Sequence, residues 1–413
     1  MARQRGHEAG TRHGMARTLL RFLPHTILVW LFASAAATSV LTARALPLPR
    51  GADDYNSPGF IVRYSWTKFA FLAVEPLRDD LSRSEEDTLV ERFFELNRRI
   101  AADERIAVDP ASERPEADAA ADRARAERGE RARIENRVER ILEGRLTDAI
   151  KRAGLTRDIG RGVVWPAVAI EFEEPPSVLV RSPRDEIRKE SESLLKGDLP
   201  IERVQRIERD AERDGRTSAL VIRIGAIAMY PAIIPPSGDY HATVDTIAHE
   251  WLHHYLFFTP LGRRYYQDAP LTTLNETLAD LGGRELACLI DPCAGAADAP
   301  RDPAGDAFDF VAEMRGLRRQ VETLLADGKI DDAERLMEDT RREIVAHGYY
   351  IRRLNQAYFA FHGSYATSAG SIDPIGPKLQ ALRDRSGSIE HFIETAREFR
   401  SEADLDATLD AAR

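Results

Sequence analysis

The segment His249-Glu250-Trp251-Leu252-His253 constrains this chain more than any other feature of its sequence. Residues 243–258 around it predict a helix, because apolar side chains recur there at helical spacing. These apolar residues are Val244, Ile247, Ala248, Trp251, Leu252, Tyr255 and Leu256. On a helix, residues i and i+4 project from one face, so His249 and His253 can bind one metal ion. Glu250 then lies beside the metal, where its carboxylate can accept a proton from water.

A catalytic zinc ion usually takes three protein ligands and leaves a fourth position open. The third candidate is Glu276, near the predicted start of a second helix. Asp280 follows four residues later on the same face, where it can hold the outer nitrogen of a liganding histidine. His254 is a neighbour of the site rather than a ligand. A second interpretation stays open, because Thr273 to Glu276 also fits a capping box in which Glu276 binds only the helix start.

These two segments together resemble the gluzincin metallopeptidases, the zinc enzymes that are similar to thermolysin. In that family HExxH on one helix is followed by NExxxD on the next, and the matching residues are His249, Glu250, His253, Asn275, Glu276 and Asp280. The resemblance implies Zn²⁺ as the cofactor, with His249, His253 and Glu276 as its ligands. It also implies Glu250 as the catalytic base and Asp280 as an orienting residue, with Asn275 beside the glutamate ligand. It covers only about residues 240–283, and no metzincin glycine and third histidine follow His253.

The resemblance implies that the residue that stabilises the transition state comes from a segment well after Glu276. Hydrolysis by a metal-activated water creates an oxyanion, which a tyrosine or histidine donor can share with the metal. Residues 347–365 are rich in both residue types, and the candidates are Tyr350, Tyr358 and His362. Each also has a structural explanation. Aromatic residues at helical spacing usually belong to the core, and a lone histidine usually satisfies a local bond.

The N-terminal residues predict a membrane anchor. Residues 1–21 form a basic tail and residues 22–43 carry no charge. About 20 apolar residues are enough to span a bilayer. The positive-inside rule then predicts a single-pass protein of the cell membrane, with a cytoplasmic N-terminus and an extracytoplasmic catalytic domain. A cleaved signal peptide and a buried core helix stay open as alternatives.

The rest of the chain predicts an α+β fold that is helix-rich, with a small β-sheet, and the resemblance makes this fold zincin-like. Residues 44–59 are expected to form a linker and residues 60–160 a helical region. The catalytic core is expected at residues 161–296, and a helical region at residues 297–413 completes the active-site cleft. Strands are predicted at 163–172, 177–181 and 219–224, and a helix at 184–213. Cys288 and Cys293 form either a small disulfide loop or two free thiols.

The function predicted from these features is hydrolysis of peptide bonds by a membrane-anchored zinc peptidase. Two alternatives stay open: a zinc hydrolase of a non-peptide bond, and a non-catalytic membrane scaffold with a residual HExxH. The expected partners are a peptide or protein substrate and, through the N-terminal helix, the membrane. The formal net charge of −10 argues against nucleic acid as a partner, because phosphate backbones would be repelled.

Overall fold

The structure is a computed structural model that describes residues 49, 51–74, 81–109, 111–156, 164–265, 267–292 and 308–411. The chain divides into two compact units. In the smaller unit, residues 56–80 include the helix α1 (Ser57–Val74). The larger unit comprises residues 50–55 and 81–413 and contains all the other elements described below.

The larger unit begins with two long helices, α2 (Arg83–Val108) and α3 (Arg114–Arg152). A capping box starts α2, since the N–H of Ser82 donates to the Glu85 carboxylate and the Glu85 N–H donates to the Ser82 hydroxyl. The two helices pack against each other and exchange ion pairs such as Arg123 with Asp103, at 2.6 Å. The charged segment at the start of α3 is therefore helical and in contact with α2.

Five short strands and further helices make up the rest of the described chain. The strands are β1 (Ile170–Phe172), β2 (Ser177–Pro183), β3 (Ser191–Leu195), β4 (Thr217–Arg223) and β5 (Ala232–Ile234). The helices that follow β3 are α4 (Ile201–Ala211), α5 (Tyr240–Leu256), α6 (Pro260–Arg263) and α7 (Ala269–Ile290). The last helices are α8 (Phe310–Ala326), α9 (Ile330–Ala346), α10 (Gln356–His362), α11 (Ile375–Arg385), α12 (Ile389–Ala396) and α13 (Glu402–Ala411).

The strands form two small sheets. β2 is the centre of an antiparallel sheet with the order β3-β2-β4, in which Leu179 pairs with Ser193 on one side and Val221 on the other. β1 and β5 form a separate parallel pair, with Ile170 opposite Ala232. The α10 helix packs against β2 and β4 and joins the antiparallel sheet to the C-terminal region.

Buried side chains from helices bind the outer edges of two strands. On β1, the N–H groups of Ile170 and Phe172 donate to Glu143 and Glu139 of α3, at 3.0 and 2.8 Å. On β4, the Val221 N–H donates to Glu208 of α4 at 2.8 Å. Buried backbone N–H groups need a hydrogen-bond acceptor. The glutamates supply one to N–H groups that no neighbouring strand binds.

The largest hydrophobic core joins the long helices to α5 and α7. Its members include Phe93 of α2, Leu142 of α3, Trp251 of α5 and Leu278 of α7, each at most 2% exposed. Fully burying one large apolar side chain contributes about 1.5–3 kcal/mol. A second cluster lies between α8 and α9 and includes Phe359 of α10. The first core therefore fixes the two helices that carry the HExxH and NExxxD segments.

The predicted fold class is wrong in its membrane-spanning helix. Among the described residues, no helix combines the length and the apolar character that crossing a bilayer requires. The predicted basic tail at 1–21 and the predicted span at 22–43 lie outside the described residues. The helix-rich character is confirmed, and the single sheet is corrected to two small sheets among the described residues.

Two further sequence predictions differ from the structure in detail. The helix predicted over 184–213 is interrupted, because β3 occupies its middle and α4 only its end. Within the predicted linker at 44–59, Asp53 binds Arg203 and its carbonyl accepts from the Lys196 N–H at 2.8 Å. Residues 50–55 are thus part of the larger folded unit. Cys288, near the end of α7, is disulfide-bonded rather than free, and Cys293 lies outside the described residues.

Candidate metal centre and active site

The α5 helix presents apolar side chains to the core and two histidines toward α7. Its N-cap is Asp239, whose carboxylate accepts from the Ala242 N–H at 3.0 Å. Trp251 is fully buried, and its indole N–H donates to the carbonyl oxygen of Pro166 at 2.9 Å. These contacts set the rotation of the helix about its axis. His249 and His253 consequently contact residues of α7.

A glycine allows α7 to approach α5 closely beside the first histidine. A Cβ atom at Gly283 would lie 2.9 Å from the backbone nitrogen of His249 and 3.0 Å from its Cα. Any larger residue would force the two helices apart, because both of these neighbouring atoms belong to the backbone. The close approach brings Glu276 and Asp280 of α7 within reach of the histidines on α5.

Three side-chain atoms converge between the two helices. The Nε2 atoms of His249 and His253 lie 3.0 Å apart. The Oε2 atom of Glu276 lies 3.5 Å from the first and 3.3 Å from the second. Ligand atoms of these three residues all lie within 4.8 Å of one another, so one small cation can contact all three. The structure thus brings together the three residues that the sequence predicts as ligands.

The second nitrogen of each histidine is held by α7. The Nδ1 atom of His249 lies 3.0 Å from a carboxylate oxygen of Asp280, and Nδ1 of His253 lies 2.8 Å from the amide oxygen of Asn275. Both oxygens can only accept, so both Nδ1 atoms carry the hydrogen. In the neutral rings the lone pairs are then on the two Nε2 atoms, which face each other. Asp280 therefore takes the orienting position that the sequence predicts for it, and Asn275 takes an equivalent position at His253.

The alternative interpretation of Glu276 as a helix cap is wrong. The α7 helix begins at Ala269, so Glu276 lies two turns inside it rather than at its third position. The Thr273 hydroxyl donates to the carbonyl of Ala269 at 3.2 Å and does not accept from the backbone at a helix start. With no capping role, the buried Glu276 carboxylate is directed at the two histidines.

The electrostatics of the cluster favour a positive charge between the three residues. Burial opposes a charge on His249, but the carboxylates of Asp280 and Glu276 outweigh it and raise the pKa of this histidine well above its usual value. Burial also opposes a charge on Glu276, but the charges of His253 and His249 hold its pKa below the usual range. The carboxylates therefore favour positive charge on the two histidines, and a metal cation bound between them would take the place of their protons.

The donor set fits a zinc ion. Two imidazole nitrogens and one carboxylate oxygen form the three-ligand set of catalytic zinc sites, with one position left for water or substrate. The Oε2 atom of Glu276 is buried and has no hydrogen-bond partner among the described residues. A buried carboxylate oxygen without a partner is costly unless a metal or another donor binds it. Both histidines and Glu276 thus have the free ligand atoms that a zinc ion requires.

Glu250 lies beside this cluster and outside it. Its side chain is only 6% exposed, and burial is the main cause that raises its pKa. It does not belong to the group of three converging ligands. In the part of the chain that the structure describes, its carboxylate is not taken up by a hydrogen bond or an ion pair. Glu250 is therefore available to accept a proton next to the metal position.

His254, the next histidine on α5, has a structural role. It is buried, its Nε2 donates to the carbonyl of Met229 at 2.7 Å, and burial lowers its pKa to about 4. A neutral imidazole held in this way anchors the segment before β5 to the helix. His254 is thus the neighbour that the sequence predicts.

Among the described residues, no hydrogen bond or ring contact joins the three candidate oxyanion donors to the metal ligands. Tyr350 is 85% exposed after the end of α9, and its electrostatic neighbour is Arg341. The rings of Tyr358 and His362 pack against each other at an interplanar angle of 43°, with centroids 4.2 Å apart. Burial alone shifts their pKa values, to about 12 and about 4. These two residues match the structural explanation, in which the aromatic side chains of this segment pack together.

A tyrosine that sequence reasoning misses lies near the ligands instead. Residues next to Tyr365 bind α7: the Ala366 N–H donates to the Thr277 hydroxyl at 3.3 Å, and the Thr367 hydroxyl donates to Asp280 at 2.5 Å. Burial and then the charges of Glu276, Glu250 and Asp280 raise the pKa of Tyr365 far above its usual value. Its phenol therefore stays protonated, as a hydrogen-bond donor, beside the three carboxylates.

No protein-family model, no curated protein and no solved structure matches it. What can be inferred about its function therefore rests on the residues and geometry described above.

Proposed function

We propose that this protein is a zinc-dependent hydrolase that cleaves peptide bonds. The observation that carries the proposal is the convergence of His249, His253 and Glu276 beside the buried carboxylate of Glu250. Three ligands and an adjacent base are the components that metal-assisted hydrolysis requires. A zinc ion held by the three ligands would supply a Lewis acid for the substrate carbonyl and lower the pKa of water.

Each nearby side chain has a distinct part in the proposed reaction. Glu250 takes the proton from the attacking water and passes it to the nitrogen of the leaving amine, as a general base and then a general acid. Asp280 and Asn275 hold the histidine rings so that their Nε2 atoms remain ligands. The phenol of Tyr365 donates a hydrogen bond to the carbonyl oxygen of the substrate while negative charge develops on that oxygen.

The assignment of Tyr365 predicts a specific loss of turnover. Tyr365→Phe is expected to lower kcat about 10²–10³-fold, the usual effect of removing one donor from an oxyanion site. The KM and the zinc content should stay close to the wild-type values, because the phenol is not among the metal ligands. Steady-state kinetics with a cleaved peptide, beside metal analysis of the same samples, measures both quantities.

Tyr358→Phe is the matched control for this variant. It also removes one phenol from the segment at 347–365, but from a side chain whose ring packs against His362. Its kcat should remain close to that of the wild type. A larger loss for Tyr358→Phe than for Tyr365→Phe would contradict the assignment and favour the donor at Tyr358.

Incubation with a peptide library tests the proposed function itself. The purified full-length protein with zinc is expected to cleave a subset of the peptides, and a chelator should stop the cleavage until zinc is restored. Mass spectrometry of the products identifies the bonds that are cut. If zinc is bound but no peptide is cleaved, the peptidase assignment fails and a non-peptide substrate becomes the better explanation. If no zinc binds to the folded protein, a non-catalytic scaffold is favoured.

A further inference from the structure

Tyr265 binds the carboxylate oxygen of Glu276 that does not face the histidines. It lies in the turn between α6 and α7, and its hydroxyl donates to Oε1 of Glu276. Its ring also packs edge-on against His253, with ring centroids 6.0 Å apart. The other oxygen of the carboxylate, Oε2, is the one directed at the two Nε2 atoms. The two oxygens of one carboxylate are therefore divided between a tyrosine and the metal position.

The backbone of Tyr265 is fixed to the same helix as Glu276. The hydroxyl of Thr272 donates to the carbonyl oxygen of Tyr265, and Thr272 lies four residues before Glu276 on α7. Residues four apart on a helix share one face. Both the hydroxyl and the backbone carbonyl of Tyr265 are thus hydrogen-bonded to the face of α7 that carries Glu276. The hydroxyl cannot move away without breaking one of these two hydrogen bonds.

We infer that Tyr265 is a positioning residue that reserves Oε1 of Glu276, so that the carboxylate binds the metal through Oε2 alone. This inference rests on the proposed zinc site. A carboxylate can bind a metal through one oxygen or through both. A hydrogen bond from a phenol to a carboxylate is charge-assisted and hence relatively strong, which favours the one-oxygen mode. The position that the second oxygen would take stays open for water and substrate, as a catalytic zinc requires.

Metal binding without any substrate tests this role. Full-length wild type, Tyr265→Phe and the control Tyr365→Phe are compared for zinc affinity, by competition with a chromophoric chelator. Loss of a group that orients a ligand usually weakens metal affinity about 10–100-fold. We expect a loss in that range for Tyr265→Phe and none for Tyr365→Phe. Tyr365 is near the ligands, but no hydrogen bond joins it to one of them among the described residues.

The visible absorption of bound Co²⁺ provides a second readout. Four-coordinate Co²⁺ absorbs much more strongly than Co²⁺ with more ligands, so a carboxylate that is free to bind through both oxygens should weaken the band. Tyr265→Phe is expected to show this weaker band and Tyr365→Phe the wild-type band. An unchanged zinc affinity together with an unchanged Co²⁺ spectrum in Tyr265→Phe would overturn the inference and leave the proposed zinc site intact.

Two further outcomes keep the test decisive. If the wild type binds no zinc, both the inference and the proposed function fail together. If Tyr265→Phe does not fold, Thr272→Val replaces it, because this change removes the anchor of the Tyr265 carbonyl and leaves the phenol in place. A weaker zinc affinity in that variant supports the inference, and an unchanged affinity overturns it.

Discussion

Glu250→Gln is expected to bind about one zinc ion per chain and to cleave peptides about 10²–10⁴-fold more slowly than the wild type, the usual contribution of a general base. Glutamine has nearly the same shape but cannot accept the proton from water. Because Glu250 lies outside the three converging ligands, zinc binding should not change. Comparison of kcat and zinc content in parallel samples measures this separation of catalysis from metal binding.

The outcome of this variant distinguishes an enzyme from a scaffold. Asp239→Asn is not a suitable control, because Asp239 caps α5. Glu394→Gln is preferable, since Glu394 accepts a hydrogen bond from Tyr255 of α5 and lies outside the ligand group. The control should cleave peptides nearly as fast as the wild type. Wild-type activity in Glu250→Gln would show that another group moves the proton, and the proposed mechanism would then be wrong.

Glu276→Ala is expected to lose most of its zinc. Removing a residue that only orients a ligand weakens metal affinity about 10–100-fold. Removing the ligand itself should weaken the affinity by more than this. The two histidines remain, but a pair of nitrogen ligands four residues apart does not complete a catalytic zinc site. Metal analysis after dialysis, on protein shown by circular dichroism to be folded, checks the expected loss. Peptidase activity should fall with the zinc content.

A carboxylate on the same helix provides the control for Glu276→Ala. Glu285 also belongs to α7, but its side chain is 36% exposed and pairs with Arg383. Glu285→Ala should retain one zinc ion per chain, because an exposed ion pair contributes at most about 1 kcal/mol to stability. Zinc binding that survives in Glu276→Ala would remove this glutamate from the ligand set and leave two histidines with an unidentified third ligand.

The arrangement of the ligands could be predicted from sequence because its signals are local. His249 and His253 are one helical turn apart, and Glu276 and Asp280 repeat that spacing on the next helix. Only the contact between the two helices depends on tertiary structure. The close approach at Gly283 supplies that contact. No comparison with known proteins tests the gluzincin resemblance, and the presence of zinc stays a prediction.

Tyr365 could not be chosen from sequence in the same way. The segment at 347–365 contains several tyrosines and histidines, and nothing in their spacing distinguishes a core residue from one beside the metal. The signal lies in tertiary contacts, since Ala366 and Thr367 bind side chains of α7 about 90 residues earlier in the chain. Such long-range contacts have no periodicity that a single sequence can reveal.

The fold shows the same division between local and long-range signals. The long helices α2 and α3 follow from residues of high helix propensity, and both are present. The strand β3 could not be predicted within its charged segment. It lies at the edge of its sheet, and its first two side chains are exposed. An edge strand needs little apolar alternation, so the pattern that identifies buried strands is absent there.

The carboxylates on the outer edges of β1 and β4 also protect the chain from self-association. An open strand edge is a template on which a second molecule can add a strand, and this is a common route to aggregation. Here the N–H groups of Ile170, Phe172 and Val221 already donate to buried glutamates. A strand from another copy would therefore find these donors occupied. The helices α3 and α4 thus block these two strand edges against pairing between molecules.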